Sequence, residues 1–242
     1  MQLNFAAREV AIKLVYYGPA LSGKTTNLKS LHDLVTEQSR GRLMTLDTKD
    51  DRTLFFDMLP LVFRAESEAG SMSLRVKVFT VPGQTVHAST RKLVLQGADG
   101  VAFIADSQLS ETQSNADSFL DLRANLKELG RSLSSTPMVI QFNKRDLPNV
   151  RPDEEIDDLA RRGKEPVYKA CAMSGQGVVE SFFGLLDRTW TALEKEHALA
   201  DKLGMRPDAF LEMVAASLGY AGKGRALSRA CVGGSAHGGT TR

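Results

Sequence analysis

The octapeptide GPALSGKT, Gly18 to Thr25, lies between a short apolar run, AIKLVYY, and a stretch in which Leu28, Leu31, Leu34 and Val35 recur at helical spacing. Gly, four residues, then Gly-Lys-Ser/Thr is the phosphate-loop pattern, and a strand before it with a helix after it is the context that the pattern needs. The constraint is both steric and electrostatic. Successive backbone N–H groups at a helix N-terminus can cradle phosphate oxygens, provided glycine lets the backbone approach. The pattern assigns loop contacts to Gly18, Ala20, Leu21, Ser22, Gly23, Lys24, Thr25 and Thr26. It gives the β- and γ-phosphates to Lys24 and a Mg²⁺ ion to the Thr25 hydroxyl. A glycine turn with an incidental lysine is the plain alternative.

The rest of the chain repeats the strand-and-helix alternation. LFFDMLPLVF and SLRVKVFTV read as an antiparallel hairpin, with Pro60 pushing the first strand toward an edge. GVAFIAD and PMVIQFN are continuous apolar runs of strands covered on both faces, and EPVYKAC is a weaker sixth strand. Ala116, Phe119, Leu120, Leu126 and Leu129 form one helical face, and Val179 to Leu193 another. This order predicts an α/β fold: a six-stranded, mostly parallel sheet between helices, with one antiparallel strand at its edge. At 242 residues the chain is expected to hold one domain over 1–197 and an extension over 198–242. The extension reads as a short helix opened by Pro207, then a Gly- and Ser-rich basic tail whose composition favours disorder or folding on a partner.

NKRD, Asn143 to Asp146, closes an apolar strand about 120 residues after the phosphate loop. A carboxylate there can accept from both N1–H and the exocyclic amine of guanine, a pair that adenine does not offer. The stem of Lys144 would lie against the ring. By itself the tetrapeptide could be a surface loop.

With these motifs in place, the chain resembles the Ras-like small GTPases from about Ala11 to Glu196. YYGPALSGKTTN, DDRTLFFDMLPL, TVPGQ and QFNKRDLP look like the bacterial polarity and gliding-motility GTPases of the MglA family. The resemblance implies a Ras-like, three-layer P-loop NTPase fold with GTP or GDP and Mg²⁺ as ligands. It places Thr53 at the switch I threonine that closes on Mg²⁺, and Arg52 at an arginine finger supplied in cis. Gly83 and Gln84 fall on the switch II pair, the glutamine orienting the attacking water. Ala172 falls where a backbone N–H meets guanine O6, although a core strand end is an equal reading of CAM. The catalytic set is thus Gln84, Arg52 and Lys24, and the metal set Thr25 and Thr53.

Two residues depart from the Ras-like pattern. Thr80 stands where most relatives carry an aspartate near Mg²⁺, a form that the MglA family shares. Asp57, on the strand expected to pair with the one ending at Thr80, is the candidate substitute; a surface aspartate is the alternative, and Asp47, Asp50 and Asp51 are less constrained. Ala20 replaces a family glycine, and its methyl is expected to slow turnover. The readings are therefore a GTP-hydrolysing switch, a GTP-binding module with little hydrolysis, or, disfavoured by NKRD, a P-loop kinase or ATPase.

A net charge of +2 with 25% charged residues gives no global argument for nucleic-acid or membrane binding. Two remote cysteines, no signal peptide, no spanning apolar run and no prenylation box lead to the expectation of a cytoplasmic protein without a membrane anchor. The resemblance adds a Roadblock-type (MglB-like) GTPase-activating partner and recruitment to a cell pole.

Overall fold

The computed structural model describes residues 1–4, 8–46, 56–67, 70–83 and 88–232. In chain order the elements begin with β1 (Gln2–Asn4), β2 (Glu9–Tyr17), α1 (Lys24–Leu34), β3 (Met44–Leu46), β4 (Phe56–Ser67) and β5 (Gly70–Thr80). They continue with α2 (Ala88–Leu95), β6 (Gly100–Asp106), α3 (Thr112–Glu128), β7 (Met138–Asn143), α4 (Asp153–Arg162), β8 (Val167–Lys169) and α5 (Val178–His197). Three further helices, α6 (Leu199–Leu203), α7 (Pro207–Ser217) and α8 (Gly224–Ser228), follow the domain.

The sheet runs β3-β4-β5-β2-β6-β7-β8, with β1 paired to β2. Strands β5, β2, β6, β7 and β8 are parallel, while β1–β2, β3–β4 and β4–β5 are antiparallel. This is the Ras-like α/β architecture, with eight strands among the described residues instead of the expected six. The two extra strands, β1 and β3, are three residues long, too short to leave a periodic signal. They also correct the edge: β3, not β4, borders the sheet. Pro60 is accommodated because its carbonyl faces away from β5 and accepts from Gly41 N–H at 2.8 Å, so its missing donor costs no β4–β5 bond.

Side chains alternate across the sheet as a period of two requires. Ile12, Leu14 and Tyr16 of β2 join one core cluster with α1 and α5, while Val15 and Tyr17 join a second with α3. Both faces are thus covered, which explains why the central strands read as unbroken apolar runs.

The described part of the extension packs on the domain. α7 opens on Pro207, and Phe210 stacks on Trp190 of α5 with centroids 3.8 Å apart. Beyond it, where Gly and Ser content favoured disorder, the chain is placed against the domain as far as Val232. Arg225 pairs with Asp187 at 2.9 Å and with Asp208. Tyr168 Oη donates to Ser228 O at 2.6 Å, and Val232 N–H donates to Val167 O at 2.7 Å. The basic tail lacks acids of its own; its counter-charges lie on α5 and α7, outside the window in which composition was read.

Candidate functional site

Parallel strands bring their carboxyl ends to one side, so the segments after β2, β5, β6, β7 and β8 share a single edge of the sheet, where open α/β sheets take ligands. The phosphate loop follows β2. Gly23 has φ +93°, and a Cβ there would lie 2.2 Å from Asn143 Nδ2. Its bare Cα lets Asn143 reach across to donate to Ser22 O at 2.9 Å, which ties the loop to the NKRD segment. α1 begins at an N-cap glycine, Gly23, which supplies no side-chain cap to the N–H groups of its first turn.

Lys24 is buried and donates to Gly18 O at 2.9 Å and Pro19 O at 2.5 Å. Burial, with Arg91 nearby, lowers its ammonium to about 8, while Asp57 pulls the other way. Ser22 Oγ, within this loop, is buried with no hydrogen-bond partner among the described residues. An uncapped helix start, a lysine ammonium held at the loop and an unpartnered hydroxyl form a cradle that fits an anion.

Four residues from four elements meet beside it. Asp57 Oδ2 accepts from Thr25 Oγ1 at 2.6 Å and from Thr80 Oγ1 at 3.1 Å, and Asp57 Oδ1 accepts from Thr45 Oγ1 at 2.8 Å. Asp57 N–H in turn donates to Thr80 Oγ1 at 2.9 Å. Asp57 is therefore no solvated edge residue: it is 8% exposed, at the centre of three hydroxyls. These residues, with Ala20, Lys24 and Gly83, line a cleft of about 690 Å³. The donor set, one carboxylate and hydroxyls, is the hard-oxygen chemistry suited to Mg²⁺.

A smaller recess of about 240 Å³ adjoins it, and Leu21, Gly23 and Thr26 line both. Asn143, Lys144, Asp146, Ala172 and Met173 form its walls. Lys144 has φ +65°, and its ammonium meets the buried Asp106 at 2.6 Å. Ala172 N–H donates to Asn143 Oδ1 at 2.9 Å. The contact to guanine O6 that the resemblance implies would therefore have to share or displace this bond. Gly83 lies against the phosphate loop, where a Cβ would come within 2.3 Å of Ala20 Cα. Arg52, Thr53 and Gln84, and also Asp47, Asp50 and Asp51, lie outside the described residues.

No family model matches the chain. Over 193 residues it is 42% identical to the mutual gliding-motility protein MglA of Myxococcus xanthus (strain DK1622), covering 97% of that protein and 80% of this chain. The chain belongs to the MglA family. A fifth of it has no counterpart in the M. xanthus MglA match.

Within this MglA-family site, sequence reading passed over Thr45 and Asp106. Thr45 sits on β3, and only its register opposite Asp57 gives it meaning. Asp106 ends an apolar strand one position before the turn, where a carboxylate flags a site, but its partner Lys144 is remote in sequence. Among the described residues no helix is long and apolar enough to cross a membrane.

Proposed function

We propose that this MglA-family chain is a Mg²⁺-dependent GTP-binding and GTP-hydrolysing switch, acting in cell polarity or motility through partners that read its nucleotide state. The observation that carries the reading is the junction of two recesses at one sheet edge, the Lys24–Thr25 cradle and the Asn143–Asp146 pocket, sharing Leu21, Gly23 and Thr26. Lys24 and the N–H groups of α1 would bind the phosphates. Asp146 would select guanine by accepting two hydrogen bonds, and Lys144 would support the ring. Thr25 would ligate Mg²⁺, with Asp57 supplying the negative charge that Thr80 cannot and Thr53 joining from switch I. Bound Mg²⁺ would neutralise charge on the transferring phosphoryl group. Gln84 would orient the attacking water, and Arg52 would add positive charge at the leaving oxygens. No covalent intermediate is needed.

A Roadblock-type protein of the MglB kind is the proposed activating partner, since a slow intrinsic site gains most from a second protein that orders its switches. The contact of Gly83 with Ala20 favours a second reading, in which the loop holds GTP and turns it over very slowly. Both are tested on the full-length protein. GTP is expected to bind at least a hundredfold more tightly than ATP, and single-turnover hydrolysis is expected to accelerate with the Roadblock partner. Equal binding of ATP sinks guanine selection; hydrolysis absent with and without the partner leaves the binding-module reading in its place.

A further inference from the structure

α2 and the strand that feeds the phosphate loop are joined through one carboxylate. Arg91, buried on α2, donates through Nε to Asp121 Oδ2 at 2.8 Å and through Nη2 to Oδ1 at 3.4 Å. Asp121, on α3, also accepts from the Tyr17 hydroxyl at Oδ2. One turn on, Asn125 Nδ2 donates to Tyr17 Oη at 3.1 Å and to Asp121 O at 3.0 Å, which holds the phenol in place. Tyr17 is the last residue of β2, immediately before Gly18. Three elements therefore meet at Asp121: α2, α3 and the base of the phosphate loop.

A two-toothed guanidinium–carboxylate pair fixes orientation as well as distance, and this one is half-buried, the Arg91 side chain 8% and the Asp121 side chain 35% exposed. Such a pair suits a joint that must not slide. The other end of the stretch leading into α2 is Gly83, whose Cα rests on Pro19 and Ala20. Gly83 and α2 are thus each tied to the phosphate loop, the one by backbone contact and the other through Asp121 and Tyr17.

We propose that the Arg91–Asp121–Tyr17 network is a positioning device for hydrolysis: it holds α2 at a fixed place relative to the phosphate loop, and thereby sets the rate at which bound GTP is cleaved. This rests on the reading of the chain as a GTPase whose glutamine, Gln84, precedes α2 by four residues. Arg91, Asp121 and Tyr17 touch neither nucleotide nor metal in this scheme; they act through α2.

Full-length protein loaded with GTP provides the test, using Tyr17→Phe, Asp121→Asn, the double variant and Gln84→Ala. Binding of a fluorescent GDP analogue is expected to stay within about twofold in the first three, because the cradle itself is intact. Single-turnover hydrolysis is expected to slow by about tenfold in Asp121→Asn and about threefold in Tyr17→Phe, as displacement of a positioned group costs rate more than affinity. The double variant is expected to be no slower than Asp121→Asn, since both changes cut one joint. Hydrogen exchange of α2 amides should rise in step. Unchanged exchange and hydrolysis in Asp121→Asn would overturn the proposal, as would affinity falling with rate or multiplicative effects in the double variant. A Gln84→Ala protein that still hydrolyses normally would instead overturn the role given to Gln84, while the α2 exchange still decides the anchor.

Discussion

Asp57 and Thr80 exchange two hydrogen bonds across β4 and β5, and Asp57 also accepts one from Thr25. A carboxylate thus stands one strand away from Thr80, across the ladder. Placing an acid at Thr80 alone would set two buried carboxylates against each other, and one must then take a proton or move. Thr80→Asp is expected to lower stability by about 3 kcal/mol at neutral pH, measured by urea unfolding. The exchanged pair, Asp57→Thr with Thr80→Asp, is expected to recover most of that loss; no recovery would mean that the two positions are not interchangeable holders of one charge.

Lys24 yields a pH-dependent prediction. Its ammonium lies at about 8 because burial disfavours charge, so the empty site is largely protonated below pH 8 and loses the proton above it. Phosphate charge stabilises the ammonium and raises its pKa on binding. GTP affinity should be nearly flat below pH 7.5 and should weaken as pH rises through 8, with proton uptake on binding at pH 9. Calorimetry in buffers of different ionisation enthalpy reads that uptake directly, and its absence would show that Lys24 stays charged in the empty site.

Among the elements, α7 has a composition-legible start and an illegible destination. Pro207 at its first position and Gly219 just past its end bound it in the sequence. Its apolar residues Phe210, Leu211 and Val214 are buried in the cluster that also holds Trp190 and Phe182. Its carboxyl end touches the domain again, where Ser217 O accepts from Thr36 Oγ1 at 2.8 Å. Phe210→Ala would remove the ring stacked on Trp190 and leave a cavity, a change that typically costs about 3–5 kcal/mol. The expected outcome is a matching drop in unfolding free energy for the whole chain, in one transition. A separate early transition, with the remainder unchanged, would show that α7 folds apart from the domain.

At the scale of the whole molecule, the phosphate loop, the central strands and the NKRD segment were legible because each is a local signal. The loop needs glycine where the backbone comes close, and a strand covered on both faces needs apolar residues at every position. β1 and β3 left no trace because three residues carry no period. The packing of residues up to Val232 is not legible in composition, which counts residues within a window, while Asp187 and Asp208, which pair with Arg225, lie elsewhere. The sequence by itself determined a phosphate-loop α/β domain and the residue types along the sheet edge where the two recesses open. Only the tertiary structure decided that Asp57 sits among three threonines, that the Ala172 N–H is already engaged by Asn143, and that Asp121 links α2 to Tyr17. Those roles depend on which partners lie within about 3 Å. Partners 32 residues away for Thr25 and Asp57, or 104 for Tyr17 and Asp121, are chosen by strand register and helix packing, not by any local pattern.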